Sequence, residues 1–383
     1  VCGMSGKILE LTRQGGGEAG ECLYDKASML VAQGKLDEAE GLILEGRQLE
    51  PVNADFANLD GLIHLRRGDC DGAADRFAEA TLMDESRADL RNNLGTALLE
   101  SGRIKEAADA ITAGLAIDGK NVNLLRNAAT AAIILGDSDR AVKLACRAVK
   151  EEPHEAGSHV VLAETLLRSG DKKAAAEALE CLKFLDGIPM KVLLKAVHLY
   201  IRMDMLEEAQ GMAYTAVECD PSNLKLMLLL GKVLEMRSDL DGAKHVYVTI
   251  LSYDLENIDA RNGLGCVHER KGELIEALEH FMEAHRLEPS NDQIQVNLGI
   301  VLDKLDMDDA AERHLACVME RAPGFGVAFN AMGCYLSRRG KYVEAADIFT
   351  TAIDLEPDND SYRHNLELAQ NMIAAMGLQE SSL

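Results

Sequence analysis

The chain has 383 residues, 47% of them apolar and 27% charged, a composition typical of folded, soluble chains and not of disordered ones. Its formal net charge is −24, which argues against nucleic acid as a partner because duplex binding needs a basic surface. The nine scattered cysteines form no C-x-x-C pair or zinc-like cluster, and no apolar run approaches the roughly 18 residues of a membrane span, so we expect reduced thiols in a cytoplasmic protein without a bound metal.

The first predicted element is a short N-terminal helix, from about Ser5 to Gln14. Three glycines, Gly15 to Gly17, follow it as a hinge, so we expect residues 1–19 to form a segment apart from the rest of the chain. Because a tethered helix can exchange into a neighbouring molecule, this segment also offers a route to self-association.

A 34-residue repeat begins at Gly20 and keeps its register over ten copies, to Asn359. One column is glycine or alanine in all copies but the sixth: Ala27, Gly61, Gly95, Ala129, Ala163, Val197, Gly231, Gly265, Gly299 and Gly333. Twelve residues later every copy has alanine, from Ala39 to Ala345. Two further columns are rich in glycine and in proline, at which helices commonly end. Each repeat therefore predicts two helices joined by a turn.

Glycine inside a helix, as at Gly95, costs roughly 1 kcal/mol relative to alanine, so a packing gain must offset it. Helix axes approach to about 8–10 Å only where the contacting side chains are small. We therefore expect the two helices of a repeat to meet at these columns, for example at Gly95 and Ala107. A third small column, which includes Gly46 and Gly114, is expected to receive the first helix of the next repeat.

Repeats five to seven depart most from the pattern. The departing residues are Leu182 and Ile250 in the third small column, Val197 in the first, and Asp204 and Ser238 in place of the turn glycine. Bulk in a packing column pushes neighbouring repeats apart. We therefore expect a local change of pitch between residues 182 and 255.

The last predicted element is a capping helix, from Asp360 to about Met376, within a C-terminal segment of residues 360–383. Repeat arrays need a polar outer face at their ends, because the last repeat has no neighbour to cover it. The three predicted parts of the chain are thus residues 1–19, 20–359 and 360–383.

The small residue, turn glycine, alanine and proline at a 34-residue period resemble the tetratricopeptide repeat, and the resemblance covers residues 20–359. It implies an all-α fold, a right-handed superhelical solenoid of helix-turn-helix repeats, with first helices on the concave side and second helices on the convex side. It also implies a scaffold or adaptor that binds a peptide or helix of another protein in the concave groove.

In that family, fixed positions of each first helix line the groove, and asparagine recurs at two of them. Asn58, Asn92, Asn262 and Asn330 hold one position, and Asn93, Asn127, Asn297 and, in the cap, Asn365 hold the next. An amide can both donate to and accept from a peptide backbone, so these side chains are candidate groove contacts. The alternative is that they only bond to backbone near a helix start.

Basic residues occupy groove positions of repeats four to seven: Arg126, Arg168, Lys191, Lys195, His198, Arg202, Lys225 and Lys232. Apolar residues share this face, namely Leu194, Leu228, Leu229 and Met236. A basic, partly apolar groove in an acidic protein would favour an acidic segment of a partner. The alternative is that the lysine stems cover apolar surface and their charges are solvated or neutralised by Glu207, Glu208 or Glu235.

The chain has no phosphate-binding loop, no H-E-x-x-H motif and no nucleophile elbow. His280 and His285 of the segment HFMEAH are five residues apart, so they point away from each other on a helix. We therefore expect no catalytic residue, no metal, no cofactor and no enzyme. Two other functions stay open: a self-assembling structural protein that forms homo-oligomers, and the regulatory part of a larger enzyme or of a secretion or envelope complex.

Overall fold

The computed structural model of the protein describes residues 18–377. Within that range the chain forms twenty-one α-helices and one short 3-10 helix, and it has no strand. The predicted helix from Ser5 to Gln14 and the hinge from Gly15 to Gly17 lie outside the described residues. Two compact units divide the chain, one up to Met212 and one from Ala213 onward.

The first unit contains the helices of repeats one to five and the first helix of repeat six. Their bounds are α1 (Glu18–Ala32), α2 (Leu36–Leu49), α3 (Ala54–Arg67), α4 (Cys70–Met83), α5 (Ala88–Glu100), α6 (Ile104–Ile117), α7 (Val122–Ile134), α8 (Ser138–Glu151), α9 (Ala156–Arg168), α10 (Lys172–Glu180) and α11 (Met190–Arg202). Odd-numbered helices are the first helices of the repeats and even-numbered helices are the second.

The second unit continues the same alternation, and the division between the units falls inside α12. The bounds are α12 (Leu206–Cys219), α13 (Leu224–Met236), α14 (Leu240–Tyr253), α15 (Ile258–Lys271), α16 (Leu274–Leu287), α17 (Asp292–Lys304), α18 (Asp308–Arg321), α19 (Gly326–Arg338), α20 (Tyr342–Leu355) and α21 (Asp360–Ala375). These pairs confirm the predicted all-α repeat fold.

The alanine column lies in the interior of every repeat, as predicted. All ten alanines, from Ala39 to Ala345, are completely buried. Gly95 in α5 faces α6, and a Cβ atom added at Gly95 would lie 2.4 Å from Ile111 Cγ1. No side chain fits in that space without displacing Ile111, so close helix packing explains the glycine inside α5.

The third small column receives the first helix of the following repeat, again as predicted. A Cβ atom added at Gly46 in α2 would lie 2.2 Å from the ring of Phe56 in α3. A Cβ atom at Gly114 in α6 would lie 2.8 Å from Leu124 Cδ2 in α7. Large apolar side chains of one repeat therefore fill the space that glycine leaves in the repeat before it.

The turn inside a repeat needs a left-handed backbone conformation. Gly68 has a φ of 82° at this position, which glycine adopts without strain. The same turn keeps its shape where glycine is replaced, because φ is 62° at Asp204, 63° at Ser238 and 57° at Asp306. Substituting the turn glycine therefore costs backbone strain but leaves the helix pair intact.

The second helix of repeat five is interrupted at the position where its sequence departs from the repeat pattern. The second helix α10 has only 9 residues and continues as a 3-10 helix, Cys181–Phe184. Leu182 replaces the small residue of the third column and is buried, whereas Phe184 is 86% exposed. The bulk of Leu182 thus coincides with an interrupted helix. In repeat seven, by contrast, α14 keeps its full length around the buried Ile250.

The capping helix α21 packs against α20. Its outer surface is less polar than predicted, because Leu368, Met372 and Met376 are 50%, 41% and 58% exposed. They stand four residues apart, on one side of the helix. No later helix covers them within the described residues.

Candidate partner-binding surface

Asparagines on neighbouring first helices bind each other in the second unit. The side chain of Asn297 in α17 donates from Nδ2 to Asn262 Oδ1 in α15, at 2.9 Å. Asn365 in α21 donates likewise to Asn330 Oδ1 in α19, at 2.8 Å. We call each such pair an asparagine clasp. Its residues stand 35 positions apart, so one clasp joins two successive repeats.

A sulfur atom completes each clasp in the second unit. The same Nδ2 atoms lie 3.7 Å from the thiols of Cys266 and Cys334, one helical turn after the accepting asparagine. Burial, with the nearby Glu235 carboxylate, raises the pKa of the Cys266 thiol to about 12, so this cysteine stays protonated at neutral pH.

The first unit contains two further clasps, and these are more deeply buried. Asn93 donates to Asn58 Oδ1 at 2.8 Å, and Asn127 donates to Asn92 Oδ1 at 2.9 Å. Asn127 also donates to Thr96 Oγ1 at 3.0 Å, where the second unit has cysteine. Only 1% of Asn58, 4% of Asn92 and none of Asn93 is exposed. These three side chains leave almost no surface for a ligand.

The clasps differ from both functions that the sequence suggested for asparagine. Each clasp uses one N–H and one oxygen between repeats, and neither partner bonds to a helix start. It leaves the NH2 group of the accepting asparagine and the oxygen of the donating one, except at Asn297, whose Oδ1 accepts from Gln293 Nε2 at 2.9 Å. In the second unit Asn262, Asn297, Asn330 and Asn365 are half-buried, so these remaining groups are partly accessible.

Charged groove positions also pair between repeats. In the second unit Lys304 pairs with Glu269, and Arg338 lies 3.1 Å from Asp303 Oδ2. A further pair lies within one repeat: Arg87, the last residue of repeat two, donates to Asp55 Oδ1 at 2.5 Å, in the buried interior. None of these pairs was predicted from the sequence. The signal for the first two was a carboxylate followed by a cation 35 residues later.

Three of the predicted basic site residues are neutralised by carboxylates in the first unit. Lys195 Nζ lies 2.5 Å from Glu164 Oε2, and Arg168 approaches the other oxygen of Glu164 at 3.7 Å. Arg126 lies 3.0 Å from Glu155, whose carboxylate also caps α9. The neutralising residues are thus Glu164 and Glu155, and neither was predicted for this role.

The remaining basic residues of the first unit lie on α11. Lys191, His198 and Arg202 are exposed, and none has a carboxylate within 4 Å among residues 18–377. His198 is oriented by a hydrogen bond from Nδ1 to the Leu194 carbonyl oxygen, at 2.7 Å. Leu194 itself is half-buried between these polar side chains. The arrangement is a cationic helix face with apolar contact surface inside it.

The second unit has a similar face on α13. Lys225 and Lys232 are exposed and have no carboxylate within 4 Å in the described part of the chain. Leu228 and Leu229 are half-buried on that helix. The nearby Glu235 accepts a hydrogen bond from the Tyr247 hydroxyl, and burial raises the pKa of its carboxyl.

Other kinds of site are not formed by the described residues. Residues 18–377 contain no group of three or more histidine, cysteine, aspartate or glutamate side chains that could hold a metal ion. No helix in the same range is long and apolar enough to cross a membrane.

Comparison with known proteins agrees with the repeat. The tetratricopeptide repeat family model matches residues 24–75, 58–122 and 126–182. The BBSome complex member BBS4 of Bos taurus is 24% identical over 210 residues, which are 54% of this chain and 40% of that protein. Protein O-mannosyl-transferase Tmtc3 of Drosophila melanogaster is 35% identical over 102 residues, or 25% of this chain and 11% of that protein.

The crystal structure of yeast Tom70 covers 94% of this chain and 97% of its own, at 12% identity and a TM-score of 0.49. The chain spans less than half the length of the two curated relatives above. The helix pairs, their 34-residue period and the family model over residues 24–122 and 126–182 together support assignment of this chain to the tetratricopeptide-repeat family.

Proposed function

We propose that the chain is a protein-interaction scaffold that holds an acidic segment of a partner protein against its first helices. The observation that carries this proposal is the exposed cationic face of α11, whose charges form no ion pair within 4 Å among residues 18–377, although the chain has a net charge of −24. Cations that are already paired within the fold gain little from a ligand, whereas solvated ones can exchange water for a carboxylate.

The spacing of the α11 residues suits a segment laid along the helix. Lys191, His198 and Arg202 are seven and four residues apart, so they fall within about 40° of one another around the axis and span about 16 Å. Leu194 adds an apolar contact within this length. A partner helix with carboxylates at matching turns and one apolar anchor fits these features. Lys195 and Arg126 take no part, because Glu164 and Glu155 hold them.

The second unit offers two kinds of contact. Lys225 and Lys232 are seven residues apart on α13 and can bind carboxylates in the same way. The half-buried clasps retain the NH2 donors of Asn262 and Asn330 and the acceptor oxygen of Asn365, whereas Asn297 Oδ1 already accepts from Gln293 Nε2 at 2.9 Å. We propose that these groups bind the backbone of an extended segment, without selecting its sequence.

The experiment is affinity capture with the full chain from lysate of its native source. The variant Lys191→Glu/Arg202→Glu is compared with Lys172→Glu/Lys173→Glu, which reverses two exposed lysines of α10. We expect a partner that the α11 variant loses by about tenfold or more and the control retains. Replacing glutamate by lysine in the acidic segment of that partner should restore binding to the α11 variant.

Two outcomes contradict this proposal. One is that wild type and both variants capture the same proteins in equal amounts. The other is that the α11-dependent partner binds through a segment without acidic residues. Circular dichroism of each variant separates lost binding from lost folding.

Self-assembly is the second candidate, and the exposed apolar residues of α21 favour it. Leu368, Met372 and Met376 form a row at the end of the array, and a second molecule could cover them. Light scattering across concentration tests this: an assembling chain grows in mass, and Met372→Lys should prevent the growth. A mass that stays constant for the wild type excludes this function.

A further inference from the structure

The second helix of repeat four carries an unusual set of charges. Arg140, Lys143, Arg147 and Lys150 are all exposed on α8, and we call them the α8 basic stripe. The nine other second helices hold sixteen carboxylate residues and two cations, Arg286 and Arg313, at the corresponding positions. The α8 basic stripe thus reverses the charge that this surface has in the other repeats.

The stripe forms one continuous face. Its residues are spaced by three, four and three positions, which places them within about 80° around the helix and along about 15 Å. The opposite side of α8 packs into the unit through four buried residues: Ala141, Leu144, Ala145 and Ala148. The helix is therefore anchored by its apolar side, and all four charges point to solvent.

The fold itself does not neutralise the stripe. None of the four cations has a carboxylate within 4 Å in residues 18–377. One hydrogen bond restrains it: Arg147 Nη2 donates to the carbonyl oxygen of Gly119, at 2.9 Å. Of the two cations at corresponding positions of other second helices, Arg286 pairs with Glu283 at 2.8 Å, whereas Arg313 donates from Nε to the carbonyl oxygen of Asp309 at 2.9 Å. The stripe has the same lack of partners as the cations of α11.

The stripe is also separate from the groove positions. Those positions lie on first helices, whereas α8 is a second helix that packs between α7 and α9. A ligand of the stripe would therefore occupy a different surface from a ligand of α11. Both surfaces belong to the first unit.

We propose that the α8 basic stripe is a second docking surface, for an acidic helical segment of a protein. Four cations along about 15 Å match carboxylates that recur every three or four residues on a partner helix. A nucleic acid fits less well, because duplex-binding proteins contact about 6–10 phosphates and the net charge of −24 repels a long polyanion. A membrane surface fits less well too, since the apolar side of α8 is buried and cannot enter lipid.

The test uses the full chain and a defined probe. The probe is a fluorescein-labelled, alanine-based helical peptide whose glutamates repeat with the three-four-three spacing of the stripe. A second peptide has glutamine in place of glutamate. Fluorescence anisotropy at low salt measures the binding of each peptide to the wild type and to the Lys191→Glu/Arg202→Glu background. That background removes the charges of Lys191 and Arg202, and the part of the remaining peptide binding that is lost when the stripe is reversed reports on the stripe, whatever the outcome for the proposed groove function.

The decisive variant is Arg140→Glu/Lys143→Glu/Arg147→Glu/Lys150→Glu. We expect it to raise the Kd of the glutamate peptide by about tenfold or more in both backgrounds. A set of four glutamine substitutions at the same positions should weaken binding with less disturbance of the helix. The matched control, Arg286→Glu/Arg313→Glu, reverses the two cations at equivalent positions of α16 and α18 and should change the Kd less than about twofold.

The proposal is overturned if the glutamate peptide binds no more tightly than the glutamine peptide. It is equally overturned if the glutamine substitutions leave the Kd unchanged while circular dichroism shows intact helix. Vesicles that contain phosphatidylserine and a short DNA duplex are tested alongside. If either binds the stripe more tightly than the peptide does, the assignment to an acidic protein segment is wrong.

Discussion

Two glycines in one helix give a direct test of how the repeats pack. Gly41 and Gly46 both lie in α2, yet their surroundings differ. A Cβ atom at Gly41 would meet no atom within 4 Å, whereas at Gly46 it would lie 2.2 Å from two ring carbons of Phe56. Because Phe56 is completely buried, its ring has no free space to move into.

The two substitutions gain the same helix propensity, but only Gly46→Ala also carries a packing cost. Replacing glycine by alanine inside a helix stabilises it by about 1 kcal/mol, at either position. At Gly46 the ring of Phe56 would have to retreat by more than about 1 Å to reach a normal carbon–carbon distance. Overpacking of this kind costs about 1–3 kcal/mol. We therefore expect Gly41→Ala to stabilise the protein, and Gly46→Ala to be less stable than Gly41→Ala by about 1–3 kcal/mol.

Urea unfolding followed by circular dichroism measures the difference. Amide hydrogen exchange in α2 and α3 should accompany it, because repeat arrays can unfold in parts. In a Phe56→Leu background the smaller side chain should reduce the cost of Gly46→Ala, which a double-mutant cycle detects. Equal stabilisation by Gly41→Ala and Gly46→Ala would refute the role of glycine in this contact.

Three further predictions concern the second unit. Asn297→Asp sets a carboxylate oxygen against Asn262 Oδ1, so urea unfolding should show a loss of about 1–3 kcal/mol, and an unchanged midpoint would contradict the clasp. Burial and a neighbouring histidine lower the pKa of His280, so the unfolded chain binds the proton more readily and stability should fall as pH drops below about 6.5. His280→Gln should flatten that pH profile, and an identical profile would be the contrary result. At pH 8 a disulfide reagent should modify the exposed Cys317 much faster than Cys266, whose pKa is about 12; equal rates would argue against that burial.

The helix pairs were predictable from sequence because backbone and packing constraints recur at a fixed period. A residue such as Ala107 is small in every copy because two helix axes meet there, and this holds in the structure. The contact of Gly114 with the next repeat followed from the same reasoning. The interruption of the second helix of repeat five also occurs where Leu182 replaces a small residue in the third column, a departure that is visible in the sequence.

The exposed apolar surface of the capping helix α21 could not be predicted in this way. Position along the repeat predicted that α21 would close the array, and it does pack against α20. The pattern could not show that Leu368 and Met372 stay exposed, because the column that covers them in inner repeats has no counterpart after the last one.

The side chains of the first helices were harder to interpret, because one column was considered at a time. Asn93 looks like a free amide until it is paired with Asn58, 35 residues earlier. Lys195 looks like a free cation until it is paired with Glu164, 31 residues earlier. In a 34-residue repeat, steps of 35 and of 31 residues both lead back to the facing position on the preceding first helix. They therefore identify which polar side chains are paired within the fold. Lys191 has only Ala156 and Val160 at these offsets. The preceding first helix therefore cannot neutralise Lys191. Its charge acts on the Glu100 carboxylate of α5, whose pKa it lowers against the effect of burial, but the two groups form no ion pair within 4 Å, so the ammonium group can still bind a partner.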